Sequence, residues 1–235
     1  MIAERVAAVR DRIARAAGRA GRRPEEITLV AVSKTHPPER IREAFAAGVR
    51  DFGENRVQEA EPKVGALSDL HDQGLRWHLV GHLQANKARK AVALFDRIHS
   101  LDDAQLGVRL EKAAAQIKKT LHVLIQVDLA GEETKFGMDE QHLFPALELL
   151  RGFKSVHVDG LMLMPPYEED PEAVRPWFRR LRELRDRART ENLLLGDVLS
   201  MGMSHDFEVA IEEGATVVRV GTAIFGERGK AVAES

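Results

Sequence analysis

Short apolar runs with a two-residue period alternate along this chain with longer stretches in which apolar residues recur at spacings of three and four. The strand-like runs fall at residues 27–33, 49–53, 76–81, 96–100, 121–128, 156–164, 197–201 and 216–221. Helical periodicity fills residues 38–47, 103–118, 139–150, 172–190 and 205–213. In the fourth of these, Val174, Trp177, Phe178, Leu181 and Leu184 form one apolar stripe that marks its core side. Eight strands alternating with helices in 235 residues predict a single-domain (β/α)8 TIM barrel. The rival is an open doubly wound sheet, whose glycine-rich G-x-G-x-x-G turn after the first strand is absent. No proline- or serine-rich linker, low-complexity tract or charge block divides the chain, so residues 1–235 read as one domain.

An extra helix precedes the first strand. The segment MIAERVAAVRDRIARAAGRAGRR is rich enough in arginine to suggest a transit peptide, but Glu4 and Asp11 break the acid-poor rule for such peptides. Ile2, Val6, Val9 and Ile13 share one helical face, which predicts a docking helix of the mature fold.

Composition narrows the function classes. With 44% hydrophobic residues the chain can bury a substantial core, and a net charge of -2 with both signs interleaved gives no field that favours nucleic acid or an anionic membrane. No run of apolar residues is long enough to span a bilayer. Cysteine is absent, which excludes disulfides, thiolate catalysis and zinc-thiolate sites and makes a reducing cytoplasm the simplest compartment.

In a barrel the chemistry sits where strands end, at the C-terminal face. The first strand ends on Lys34, just before Pro37 and Pro38. Alternation puts Lys34 on one face with Thr28, Val30 and Val32, where partial desolvation pulls an amine below its usual pKa of about 10.4 and favours attack on a carbonyl. The alternative is a lysine that snorkels from the strand end into water. Barrels commonly bind phosphate between the loops after strands seven and eight, and here those loops carry Ser200, Gly202, Ser204, Gly221 and Thr222. Turn and capping roles are the competing use of these residues. Arg219 interrupts an otherwise apolar strand, so it must either pair with a carboxylate or face a ligand. His78 and His82 are four apart on a strand rather than a helix, with no third ligand evident, which argues against a metal site. The basic run from Asn86 to Lys90 and the arginines of 172–190 read as solvated faces.

Seven ordered motifs, AVSKTHP, FGENRVQE, WHLVGHLQANK, GEETKFGM, GLMLMPP, LSMGMSHD and VRVGTAIFGER, closely resemble the pyridoxal phosphate homeostasis protein family, itself similar to the N-terminal barrel of alanine racemase. The resemblance runs from about residue 27 to residue 228, and only Phe136 and Leu163 look variable in type. It implies a barrel that binds pyridoxal 5′-phosphate as an internal aldimine on Lys34, with Arg219 against the pyridine nitrogen. By the same resemblance Gly221, Thr222, Ser200 and Ser204 form the phosphate cradle, and Asn55 neighbours the cofactor. Racemisation needs a second base on the opposite face of the substrate carbon, which alanine racemase takes from a tyrosine in a separate domain. This chain is expected to stop just after the barrel, and its one tyrosine, Tyr167, lies beside Pro165 and Pro166. The expectation is therefore a cofactor holder without catalytic residues, a monomer or weak dimer that buffers pyridoxal phosphate and passes it to apo-enzymes. Two alternatives stay open: an amino-acid racemase or lyase using His82, Tyr167 or water as second base, and a barrel for some other phosphorylated metabolite. Lys135, after strand five, is a candidate for a second, transient amine.

Overall fold

The computed structural model describes residues 1–131 and 136–226 of the chain. Lys135, like the end of the last motif beyond Gly226, lies outside the described residues. In chain order the main elements are α1 (Ile2–Arg19), β1 (Thr28–Val32), α2 (Pro38–Ala46), β2 (Asp51–Glu54), α3 (Val57–Ala66), α4 (Ser68–His71), β3 (Arg76–Leu79), α5 (Ala88–Leu94) and β4 (Arg97–Leu101). They continue with α6 (Ala104–Gln116), β5 (Leu121–Val127), α7 (Glu140–Arg151), β6 (Val156–Leu163), α8 (Arg175–Thr190), β7 (Val198–Ser200), α9 (Phe207–Glu212), β8 (Val217–Val220) and α10 (Thr222–Phe225). Every strand forms within two residues of its expected bounds. All neighbouring strands pair in parallel, and β8 pairs with β1, so the sheet closes into the eight-stranded barrel.

The strand alternation sorts side chains between two cores. Ala31, Phe52, Trp77, Leu79, Ile98, Val123, Ile125, Leu161 and Val218 face outward and join the apolar layer under the helices. Val30 and Val32 face inward, close to where a Cβ at Gly53 would sit. Most barrel interiors are filled by branched aliphatics. This one also encloses Asp51, His78, His99, Gln126, Ser200 and Arg219, all buried.

The expected docking helix completes the outer ring. Helix α10, which follows β8, has only four residues, and α1 packs against α9, α10 and α2 beside the β8–β1 seam. Ile2, Val6, Val9 and Ile13 are all buried there, each contributing on the order of 1.5–3 kcal/mol of apolar burial. Polar contacts fix the docking angle: Arg12 makes a two-pronged bond to the Glu208 carboxylate at 2.8 and 2.7 Å, and Arg22 donates to the Ile211 and Ala215 carbonyls.

Candidate functional site

The rim of the barrel is built first at the end of β1. The chain turns through Lys34 and Thr35 before Pro38 opens α2, and Lys34 is half-buried at this turn. Thr35 has φ +66°, a left-handed conformation that a β-branched residue adopts only when its surroundings enforce it. Lys63 on α3 braces the residues on either side of this turn. Its Nζ donates to the Ser33 carbonyl, Glu54 Oε1 and Glu59 Oε1, each at 2.9 Å. The Ser33 hydroxyl also donates to Glu54 Oε1 at 2.6 Å, and the Thr35 amide donates to Glu59. Burial pushes the Glu54 carboxyl above the usual range, against the hydrogen bonds from Lys63 and Ser33. Glu54 Oε2 makes no hydrogen bond among the described residues.

Across the seam, β8 carries Arg219 level with Val30 of β1. Arg219 is 3% exposed and has no carboxylate within ion-pairing distance among the described residues. Its Nη1 donates to the Ser200 carbonyl at 2.8 Å and the Ser200 hydroxyl at 2.7 Å, and its Nη2 donates to the Leu163 carbonyl at 2.9 Å. Burial lowers its pKa to about 10, opposed by the charge of Asp206, so the group stays cationic at neutral pH. Of the two readings left open for Arg219, pairing with a carboxylate is the one the geometry does not provide among the described residues.

The loops after β7 and β8 meet beside this cation. Ser204 Oγ accepts from the Gly221 amide at 3.2 Å and from the Ala223 amide at 3.5 Å, and Thr222 is exposed next to them. A Cβ at Gly221 would meet only Val32 at ordinary contact distance, 3.4 Å from its carbonyl oxygen, so packing within the chain does not demand glycine there. Gly202 differs: its φ is +90° and a Cβ would lie 2.8 Å from Phe207 Cα. The His36 ring stacks on Phe225 at 4.9 Å, tying the Lys34 loop to α10. The structure thus brings Lys34, Arg219, Ser204, Gly221 and Thr222 together at the β8–β1 seam. Ser200 joins that group through Arg219: it is fully buried, with its hydroxyl bonded to Arg219 and to His99 at 2.9 Å.

Asn55 lies half-buried just past β2, on a cleft of about 670 Å³ that also touches Arg56, His82, Lys87 and Phe136. The two histidines of WHLVGH take different partners: His78 bonds to Asp51 and His99 inside the barrel, while His82 bonds to Asp102 and stacks on Phe136 at 3.6 Å. Tyr167 is 77% exposed and leans on His205. Sequence reasoning missed Lys63, Glu54, Glu59 and His99. Glu54 and Glu59 lie within FGENRVQE, and Glu59 with Lys63 has the i,i+4 spacing of a helical ion pair, a signal that was available.

The sequence profile described as "Alanine racemase, N-terminal domain" matches residues 5–229. The pyridoxal phosphate homeostasis protein of Aquifex aeolicus is 49% identical over 225 residues, spanning 96% of this chain and 97% of that protein. The protein of the same name from Escherichia coli K12 is 40% identical, covering 97% of each chain. PipY of Synechococcus elongatus, solved with pyridoxal phosphate bound, superposes with a TM-score of 0.85 at 41% identity and covers 96% of this chain and 100% of its own. On this similarity across nearly its whole length, built on the same closed barrel, the chain belongs to the pyridoxal phosphate homeostasis protein family.

Proposed function

We propose that this protein holds pyridoxal 5′-phosphate at the β8–β1 seam and serves its homeostasis by buffering the cofactor and passing it to apo-enzymes. The observation that carries the reading is Arg219, a buried guanidinium with no carboxylate partner among the described residues, fixed by carbonyls beside the half-buried Lys34. An unpaired buried charge is costly, so its presence points to a bound group that it serves. The residues fit the cofactor: one amine, one donor-only cation and a glycine whose Cβ space is open. Pyridoxal phosphate supplies a reactive aldehyde, a pyridine ring and a phosphate.

In this reading Lys34 supplies the amine that bonds the aldehyde carbon, and the Lys63 staple holds its turn in place. Arg219 donates toward the ring nitrogen and, as a cation that keeps its own proton, leaves that nitrogen unprotonated, which weakens the ring as an electron sink. Gly221, Thr222 and Ser204 receive the phosphate through amides and hydroxyls, and Asn55 borders the ring. Ser200, bonded to Arg219, acts on the cofactor through that cation. Lys135, a candidate transient second amine, lies outside the described residues. Tyr167, exposed in the loop after β6, is poorly placed as a second base. The protein works as a monomer or weak dimer in the cytoplasm, a compartment that fits its lack of cysteine. No helix among the described residues is long and apolar enough to cross a membrane.

A heavy-water experiment tests holder against enzyme. Loaded protein incubated with a panel of amino acids in deuterium oxide should leave the α-position unlabelled, while apo-enzymes added to it gain cofactor. Enzyme-like α-deuteration that disappears in Lys34→Ala would establish the racemase reading instead.

A further inference from the structure

Arg219 is the upper end of a hydrogen-bond chain that runs down the barrel interior through five strands. Its Nη1 meets Ser200 Oγ at 2.7 Å, Ser200 Oγ meets His99 Nδ1 at 2.9 Å, His99 Nε2 meets His78 Nδ1 at 2.9 Å, and His78 Nε2 meets Asp51 Oδ1 at 2.9 Å. Arg76 closes the lower end with two bonds to the Asp51 carboxylate at 2.8 Å. These groups sit on β8, β7, β4, β3 and β2, so no local sequence motif joins them.

We propose that Ser200, His99, His78 and Asp51 are positioning residues for Arg219, holding it through a chain that admits one proton arrangement. Both ends dictate that arrangement. A guanidinium has donors and no acceptor, and an ionised carboxylate has acceptors and no donor. Ser200 Oγ therefore accepts from Arg219 and donates to His99 Nδ1; His99 Nε2–H donates to His78 Nδ1; His78 Nε2–H donates to Asp51. Both imidazoles are neutral and carry their proton on Nε2. Reversing the direction would aim the Ser200 hydroxyl proton at a cation and leave it without an acceptor among the described residues, a costly state at a fully buried atom. Burial also keeps His99 neutral, aided by the charges of Arg219 and Arg97. Arg76 and His78 hold Asp51 below the usual carboxylate range although burial opposes them. A guanidinium so tethered presents its remaining N–H groups at a fixed place, which matters to the cofactor only if the reading of Arg219 as its ring-nitrogen partner holds.

Two measurements separate the chain from that reading. In ligand-free protein with ¹⁵N-histidine, long-range ¹H–¹⁵N correlation at pH 7 should show His78 and His99 as neutral Nε2–H tautomers. An Nδ1–H tautomer or an imidazolium at either ring would overturn the arrangement whether or not pyridoxal phosphate binds. In protein loaded with ring-¹⁵N pyridoxal phosphate, Ser200→Ala and His99→Gln should each move the pyridine nitrogen resonance while the phosphate ³¹P resonance stays at its wild-type position. An unmoved pyridine resonance in folded protein of both variants would overturn the positioning role. Failure of wild-type protein to bind the cofactor would sink the functional reading instead, leaving the tautomer result to decide the chain.

Discussion

His99 is a fully buried imidazole whose protonation burial disfavours strongly, from an ordinary value of 6.5. When the chain unfolds this ring regains its ordinary proton affinity, so below about pH 6.5 the unfolded state binds a proton that the folded state does not. Its contribution to stability is complete above pH 6.5 and is lost as pH falls toward the depressed folded value. The limiting slope is about 1.4 kcal/mol per pH unit for one proton. Denaturant unfolding from pH 7.5 to 5 should show this loss in the wild type and a shallower slope in His99→Gln. Parallel pH profiles would contradict a neutral His99. Two residues of the candidate site stand out in the sequence alone. Lys34 at a strand end and Arg219 in an apolar strand are anomalies of composition at their own positions. His99 gave no such signal, because its partners His78 and Ser200 come from distant parts of the chain and meet only in the closed barrel.

At the scale of elements, the turn after β1 depends on α3 as much as on its own residues. Lys63 is 6% exposed and its ammonium satisfies Glu54, Glu59 and the Ser33 carbonyl together. Removing it strands a buried carboxylate, a change that typically costs about 3–5 kcal/mol. Lys63→Ala should lose about that much in denaturant unfolding, and adding Glu54→Gln should restore part of it. A loss under 1 kcal/mol in the single variant would mean the turn does not rest on this staple. Helix α3 escaped the sequence reading because Pro62 interrupts it and its apolar face is narrow, with only Val57, Ala60 and Lys63 buried. Helix α5 is short and opens within a basic run that looks solvated, and burial of Ala88, Ala91 and Val92 turns its other face inward. The longer helices α1, α6, α7 and α8 carry several buried apolar residues each, which made their period readable.

Across the whole molecule, closure of the barrel sets both stability and site. The β8–β1 ladder brings Arg219 level with Val30 and Gly221 beside Val32, so the cation and the Lys34 turn depend on one seam. Helix α1 covers that seam from outside. Ile13→Ala should cost about 2–4 kcal/mol as a cavity beneath α1, seen as a lower denaturation midpoint with an unchanged m-value. An unaltered midpoint would show that α1 is not part of the cooperative unit. The closed topology was legible from the count and spacing of strands. The polar interior was not, since inward and outward positions of a short buried strand look alike until register is fixed. The central claim, that this barrel holds pyridoxal phosphate through Lys34, is tested most directly by loading the protein, recording its visible absorption, reducing with borohydride and mapping the modified peptide. A visible band that reduction abolishes, with the label on Lys34, is expected. A label on another lysine, or no band after loading, would contradict the claim.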